Sequence, residues 1–360
     1  MGAFITAIGT ANPANKYSQD TIANFMCDNL LLDDSEKRKL KALYRATGIK
    51  ERYSVLDDYK KNKGSFSFYP NSEDLEPFPT TVQRMKVYRE KAVPLAIEAV
   101  SNCTHGTEDF SSFTHLITVS CTGMYAPGLE VDLIKALNLD PGIVRTSLNF
   151  MGCYAAVNAL ALARQFCQNQ EAKVLIVSVE LCSIHLQKTK TEDSLLAHSL
   201  FSDGAAAAVV NSLPQENSME IVDAASMLAL NGKHDMAWQI GDFGFEMSLT
   251  SYVPKIIENG IRKLTESLLS KINLTLEDVD LFAVHPGGKK ILEAIENELD
   301  ISKNDNKPAY EVLGNFGNMS SPTILFVLKK ILDQKTSDKT VLSFAFGPGL
   351  TMESLLLKTH

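Results

Sequence analysis

No stretch of eighteen or more apolar residues occurs in this chain, so no segment is expected to span a membrane. Positive charge is not in excess: 35 Lys and Arg stand against 43 Asp and Glu, a net charge of −8. That balance excludes a general nucleic-acid binder, though not a local basic entrance for an anionic ligand. The six cysteines (Cys27, Cys103, Cys121, Cys153, Cys167, Cys182) include no CxxC pair and no metal-ligand spacing, and the seven histidines are scattered. The cysteines therefore read as free thiols in a reducing, cytoplasmic setting, with no metal site. Met1 to Thr6 lack a basic leader before a long apolar run, so no secretory signal is expected. The same residues match the short myristoylation pattern, but Phe4 to Ile8 reads better as a core strand ending at Gly9.

What is present describes an ordinary globular protein, 45% hydrophobic and 22% charged. At 360 residues it exceeds what one hydrophobic core usually serves, so two domains or a pseudo-duplicated fold is expected. The most informative stretch is Asn149-Phe150-Met151-Gly152-Cys153-Tyr154. A β-branched run, Ile143 to Leu148, precedes it, and an alanine- and leucine-rich helical pattern, Ala155 to Cys167, follows. Cys153 is thus expected at the first turn of a buried helix, where free N–H groups and the helix dipole lower a thiol pKa. Read alone, a buried cysteine is equally an inert core residue.

The remaining pattern is strand and helix in alternation. Helices are expected from Ser18 through Leu32, from Asp33 through Leu43, from Thr81 to Cys103 with a kink at Pro94, and from Leu129 to Leu139. Strands are expected at His115–Cys121, Val174–Val179, Ala205–Val210 and Met219–Leu228, and residues 54–80 read as an irregular excursion. In the second half, Val279–His285 is a strand, Lys289–Leu299 a helix, Gly317–Leu332 a helix and Val341–Phe346 a buried strand. Laid in register, Cys121 falls on His285, Cys153 on Asn318 and Val174 on Val341, each about 165 residues apart. This suggests an internal duplication, with halves 1–213 and 214–360. Equivalent strand ends and helix starts then converge, bringing Cys153, His285 and Asn318 together.

Singly, His285 before Pro-Gly-Gly reads as a structural residue and Asn318 as a helix cap. Together the three suit acyl transfer. A thiolate held beside an imidazole is an activated nucleophile, and an imidazole N–H and an amide N–H₂ are donors for a developing oxyanion. If that oxyanion is an enolate formed by loss of carbon dioxide from a malonyl thioester, no basic residue need remove a proton. The turn carrying Arg45, Lys50 and Arg52 is either a solvated face or a phosphate-binding entrance.

Five collinear segments carry a resemblance: Gly152-Cys153, Leu200-Phe201-Ser202-Asp203-Gly204, His285-Pro286-Gly287-Gly288, Gly317-Asn318-Met319-Ser320-Ser321 and Phe346-Gly347-Pro348-Gly349-Leu350-Thr351. Together they resemble the type III polyketide synthases, the chalcone synthase-like enzymes, and the chain looks like a bacterial member. The resemblance implies an α/β thiolase-like fold, two αβαβα halves in a five-layered core, working as a homodimer. It implies an acyl-CoA starter loaded on Cys153, malonyl-CoA decarboxylated with help from His285 and Asn318, iterative condensation and cyclisation. The resemblance implies that coenzyme A thioesters are the substrates and that neither a cofactor nor an acyl carrier protein is required. Phe201 matches one gating phenylalanine, and Met247 stands where plant members carry the other. Trp238 replaces a cavity-lining glycine, and its bulk is expected to narrow the cavity and favour small or linear substrates. His185 falls near a cavity-lining threonine. Ser320 and the Gly347-Pro348-Gly349 turn are assigned to the cavity, and Arg45, Lys50 and Arg52 to coenzyme A. Ala126 stands where plant members have a methionine reaching the partner subunit, and the last glycine loop begins Ala345-Phe346 rather than Gly-Phe. These departures argue against any specific plant product.

Three other readings compete. A β-ketoacyl-acyl carrier protein synthase III-like enzyme also uses Cys, His and Asn, but it would show a different histidine segment and a basic docking patch for the carrier. A papain-type cysteine hydrolase shares the Cys–His–Asn order, but the residues around Cys153 lack its motif. A non-catalytic binding protein on the same fold would have no need of the intact trio.

Overall fold

The computed structural model describes residues 2–106 and 109–360. The first half of the chain forms β1 (Phe4–Ala11), β2 (Asn15–Ser18), α1 (Gln19–Asn29), α2 (Asp34–Ala46), β3 (Glu51–Ser54), α3 (Thr81–Thr104), β4 (His115–Ser120), α4 (Leu129–Leu137), β5 (Val144–Asn149), α5 (Ala155–Asn169), β6 (Lys173–Leu181), α6 (Glu192–Leu200) and β7 (Asp203–Asn211). The second half forms β8 (Met219–Leu228), β9 (Met236–Gly241), β10 (Gly244–Leu249), α7 (Val253–Leu269), β11 (Leu281–Val284), α8 (Lys289–Leu299), α9 (Lys307–Phe316), α10 (Thr323–Leu332), β12 (Thr340–Gly347) and β13 (Thr351–Thr359).

Local chemistry sets several of these limits. Ser18 accepts from the Thr21 N–H at the start of α1, and reciprocal capping boxes, Asp33 with Glu36 and Thr80 with Gln83, start α2 and α3. Helix α3 runs on as one element across Pro94. The helix expected from Gly317 begins later, at Thr323. Ser320 has φ +60, which no continuing helix tolerates, and Asn318 pairs with Phe201 as an isolated bridge. Helices α6, α7 and α9 and the β9–β10 hairpin were not anticipated. In α7 the signal was present, since Val253, Ile257, Ile261, Leu264 and Leu268 bury one helical face.

The large sheet has the order β11-β12-β13-β8-β1-β7-β6-β4-β5. Its two ends repeat one pattern. In one half β1 pairs antiparallel with β7, β7 antiparallel with β6, and β6 parallel with β4. In the other, β8 pairs antiparallel with β13, β13 antiparallel with β12, and β12 parallel with β11. Among the described residues, the named strands of the two halves meet through a short pairing, Phe4 opposite Glu220 and Ile5 opposite Met219, at the seam of the sheet. Helices α5 and α10 fill the space between the two faces. The central core joins Ile117, Ile176 and Ala206 of one half to Val341, Ala345 and Leu355 of the other through Ala155, Ala159 and Ala163 of α5 and Ile324 to Leu328 of α10. Helices buried on every side must be apolar all round, as α10 nearly is, or small, as α5 is. Outside, α3 packs on β1, β6 and β7, and α7 packs on β8 and β13 with α8 beside it. The result is five layers: helix, sheet, helix pair, sheet, helix. No helix of the described residues is long and apolar enough to cross a membrane.

Candidate active site

The approach to α5 is a forced turn. Phe150 has φ +63 and Gly152 φ +90, and a Cβ on Gly152 would lie 2.2 Å from Cδ of Pro348. Only glycine meets both demands, so the backbone of Cys153 is pressed against the loop from the other half. Cys153 lies just ahead of the helix, with Tyr154 as its N-cap residue. His285 follows β11 and is held by its N–H donating to Phe344 O at 2.8 Å. Asn318 is fixed through its backbone: its N–H donates to Leu200 O and its O accepts from the Ser202 N–H, both at 2.9 Å.

These three residues line one cavity of about 310 Å3. The Cys153 thiol donates to Ser320 Oγ at 3.5 Å, and Cys121 Sγ lies 3.3 Å from the same hydroxyl. The Asn318 side chain accepts from the Ser320 N–H at 2.8 Å through Oδ1 and donates to Gly287 O at 3.2 Å through Nδ2, which leaves a second amide hydrogen for the Cys153 sulfur or for a substrate oxygen. Both ring nitrogens of His285 are buried without a hydrogen-bond partner. Buried unpartnered polar atoms are costly and rare, and two on one ring mark a group shaped to meet something absent from the folded chain.

Electrostatics correct one expectation. Burial pushes the Cys153 thiol up to about 12, against the pull of the Ser320 hydroxyl and the Asn318 amide, and burial pushes the His285 imidazole down to about 3. No hydrogen bond joins the Cys153 sulfur to His285. Burial thus favours a neutral thiol and a neutral imidazole over the ion pair that a helix N-terminus suggests. Removing both charges from water outweighs the dipole.

The opposite wall is aromatic. Trp238 on β9 and Met247 on β10 face each other across the hairpin, and both line the cavity. Trp238 Nε1 donates to Cys121 O and His185 Nε2 to Thr122 O, each at 2.7 Å, while His185 Nδ1 accepts from the Phe245 N–H at 2.9 Å. His185 stacks on Phe245 with centroids 4.3 Å apart. These bonds latch the hairpin over the end of β4 and make the wall rigid. Phe201, Ser320 and Pro348 also line the cavity, whereas Gly347 packs on Tyr154 and Gly349 turns the chain into β13 with φ +76.

The cations expected to act together do not. Arg45 and Lys50 border a separate surface hollow with Lys289, Lys303 and Lys307. Arg52 is 3% exposed and donates to the carbonyls of His198 and Phe201. It sits on β3, where strand alternation turns it inward.

Glu180 went unnoticed in the sequence. At the end of β6 its buried carboxylate accepts from the N–H groups of Cys121 and Thr122, from the Thr122 hydroxyl at 2.6 Å and from the Ser321 hydroxyl, tying the two halves together beside the site. An acidic residue closing an otherwise apolar central strand was its only signal. Cys121 had a better one, because the duplication already set it opposite His285. Cys182 also lines the cavity.

Comparison with known proteins supplies the family. The family model of the N-terminal domain of chalcone and stilbene synthases matches residues 2–214, and that of their C-terminal domain matches residues 220–360. The chain belongs to the chalcone and stilbene synthases. It is 31% identical to the alpha-pyrone synthesis polyketide synthase-like Pks18 of Mycobacterium tuberculosis, over 98% of this chain and 90% of that protein. It superposes with a TM-score of 0.91 on the C-terminal type III polyketide synthase domain of Steely1, a type I/III hybrid from Dictyostelium, at 28% identity over 100% of this chain and 99% of that one. It reaches the same TM-score against PKS-I of the brown alga Ectocarpus siliculosus, at 29% identity over 100% and 98% of the two chains. The protein is a type III polyketide synthase with a thiolase-like fold.

The buried histidine of this synthase makes a pH prediction. The folded-state pKa of His285 lies below its ordinary 6.5, so its contribution to stability is present above pH 6.5 and is lost as pH falls toward 3. Each pH unit across that window costs about 1.4 kcal/mol for one such group. Urea unfolding midpoints of His285→Asn are expected to fall less steeply between pH 6 and 4 than those of the unaltered synthase. Parallel curves would count against a neutral buried imidazole.

Proposed function

We propose that the synthase loads an acyl group from a coenzyme A thioester onto Cys153 and extends it with malonyl-CoA by iterative decarboxylative condensation, followed by cyclisation. In loading, the Cys153 sulfur bonds to the acyl carbon, the bond to the coenzyme A sulfur breaks, and the Cys153 proton passes by way of His285 to the departing thiolate. Malonyl-CoA then loses carbon dioxide. The electron pair left behind forms an enolate whose oxygen accepts from His285 and from the second Asn318 amide hydrogen. The enolate carbon attacks the Cys153 thioester and the cysteine sulfur leaves as a thiolate. That thiolate either attacks the extended coenzyme A thioester, expelling the coenzyme A thiolate to begin the next cycle, or takes a proton from water. The observation that carries this reading is the meeting of Cys153, Asn318 and an unpartnered His285 ring in one cavity. A neutral imidazole suits both tasks, since one nitrogen accepts the thiol proton and the other donates to an oxyanion.

Incubation with malonyl-CoA and a panel of acyl-CoA starters is expected to give polyketide masses, and Cys153→Ala none. Product from Cys153→Ala would sink the mechanism. In the same assay Trp238→Gly is expected to shift products to higher mass, because the latched indole closes one side of the cavity. An unchanged product spectrum would remove Trp238 as a limit on chain length.

The hollow bordered by Arg45, Lys50, Lys289, Lys303 and Lys307 suits the phosphates of coenzyme A. It shares the segment 285–289 with the reaction cavity, which Gly287 lines. Lys50→Glu with Lys289→Glu is expected to raise KM for both thioesters about tenfold, or ~1.4 kcal/mol, with kcat nearly unchanged. An unaltered KM would move the entrance elsewhere.

A homodimer formed along β5 is part of the same reading. β5 is the sheet edge, Val144 is 53% and Met124 44% exposed, and Val82 and Met85 line an apolar groove beside Met124. Sedimentation is expected to give twice the 39.6 kDa chain mass, and a monomer with Val144→Lys. A monomeric unaltered chain would refute the assembly.

A further inference from the structure

Helix α6 ends at Leu200 without a glycine to turn its chain, and Ala197, His198 and Phe201 at that end line the reaction cavity. The last carbonyls of a helix have no partner within it and must find one elsewhere. Here side chains from the amino-terminal elements supply them. Arg52 donates through one terminal nitrogen to His198 O at 2.6 Å and Phe201 O at 2.8 Å. The Tyr44 hydroxyl also donates to His198 O, at 3.2 Å, and Gln19 Nε2 donates to Ser199 O at 2.7 Å. The next residue of β3 joins in, as the Tyr53 N–H donates to Ser202 Oγ at 2.9 Å. The other edge of this short segment belongs to Asn318, which takes Leu200 O and the Ser202 N–H. Residues 198–202 are thus a strip with Arg52 on one side and the backbone of Asn318 on the other.

Arg52 also touches the far side of that strip. A Cβ on Gly317 would lie 2.9 Å from Arg52 Cγ and 3.0 Å from Leu200 O, so the arginine stem packs against the residue preceding Asn318. Gly317 has φ +70, and its missing side chain is what admits the stem. The guanidinium face lies over the Tyr44 ring, 5.4 Å from its centroid. Arg52 has no ion pair among the described residues. The nearby carboxylate of Asp203 is engaged by the Val55 N–H and by Ser183. A fully buried cation kept without a counter-ion is costly unless its geometry is needed. One terminal nitrogen of Arg52 meets both carbonyls, while the flat guanidinium lies over the Tyr44 ring and the stem lies against Gly317.

We propose that Arg52 is a positioning residue, a clamp that sets Asn318 for decarboxylation by fixing residues 198–202 and the backbone beside Gly317. The proposal rests on Asn318 donating to the enolate. Acyl transfer onto Cys153 needs the thiol and His285 but not that amide, so the clamp separates the two half-reactions. A ligand of coenzyme A would not do so, because both half-reactions start from a thioester of the same carrier.

The test compares Arg52→Met, Asn318→Ala and the double variant in two assays. One is acylation of Cys153 by an acyl-CoA, followed by intact mass. The other is carbon dioxide release from malonyl-CoA. Arg52→Met is expected to slow decarboxylation about 10²-fold, the usual cost of a 1 Å misplacement, with acylation changed by less than about threefold. The double variant is expected to decarboxylate no more slowly than Asn318→Ala, because two residues acting as one unit are not additive. Arg52→Gln, whose shorter side chain keeps an N–H₂ donor but neither the charge nor the full reach, is expected to fall between, and it carries the comparison if Arg52→Met does not fold. Equal loss in both assays, additive losses in the double variant, or a raised KM with both half-reactions intact would each overturn the clamp. Asn318→Ala decarboxylating at the unaltered rate would instead overturn the reading of Asn318, and the clamp with it.

Discussion

Two helices buried between two sheets impose the constraint on which everything else in this synthase depends. Each of α5 and α10 must satisfy an apolar environment on all sides, and α5 does so by being built largely from alanine. Small side chains let the helix pair and both sheets approach closely, and close packing leaves little freedom in where the helices begin. The turns ahead of those beginnings carry Cys153 and Asn318. The same packing drives Pro348 against Gly152, so a residue of one half shapes the cysteine turn of the other.

Burial then decides the chemistry of the resting site. His185, His198 and His285 are each held down to about 3, and the Cys153 thiol is held near 12. Burial favours the neutral forms of these groups. The preorganised donors then act where the low dielectric makes them strongest. His185 shows the complementary use of a buried imidazole. Both its nitrogens are spent on the backbone, so it is wall rather than acid or base, whereas His285 in the same cavity has both free.

Much of the fold was legible because its signals are local or periodic. A capping Ser18 marked α1, apolar runs marked the central strands, and the repeat of about 165 residues anticipated the strand pairing that the two ends of the sheet share. The same repeat brought Cys153, His285 and Asn318 together before any coordinates. Other features were not legible, for identifiable reasons. The helix before Phe201 is only nine residues long, with a Thr191 cap, and the β9–β10 hairpin turns through Gly241-Asp242-Phe243-Gly244, so their signals were present but too short to stand out. Glu180 is a single acidic residue whose partners come from two distant turns. Asn318 reads alone as a helix cap and beside Cys153 and His285 as an oxyanion donor, but the bonds of its backbone to Leu200 and Ser202 have no mark in the sequence.

Arg52 shows most clearly where sequence ends and tertiary structure begins. Within Arg45 to Arg52 three cations lie close along the chain, and charge alone groups them at one entrance. Strand pairing of β2 with β3 turns Arg52 inward to the end of a helix nearly 150 residues away, while Arg45 and Lys50 stay at the surface. The sequence by itself determined the family, the repeat and the reacting residue types, because those reside in order and spacing. Protonation states, the latched aromatic wall and the task of each cation were decided only by tertiary structure, because burial and hydrogen-bond partners are supplied by residues remote in the chain.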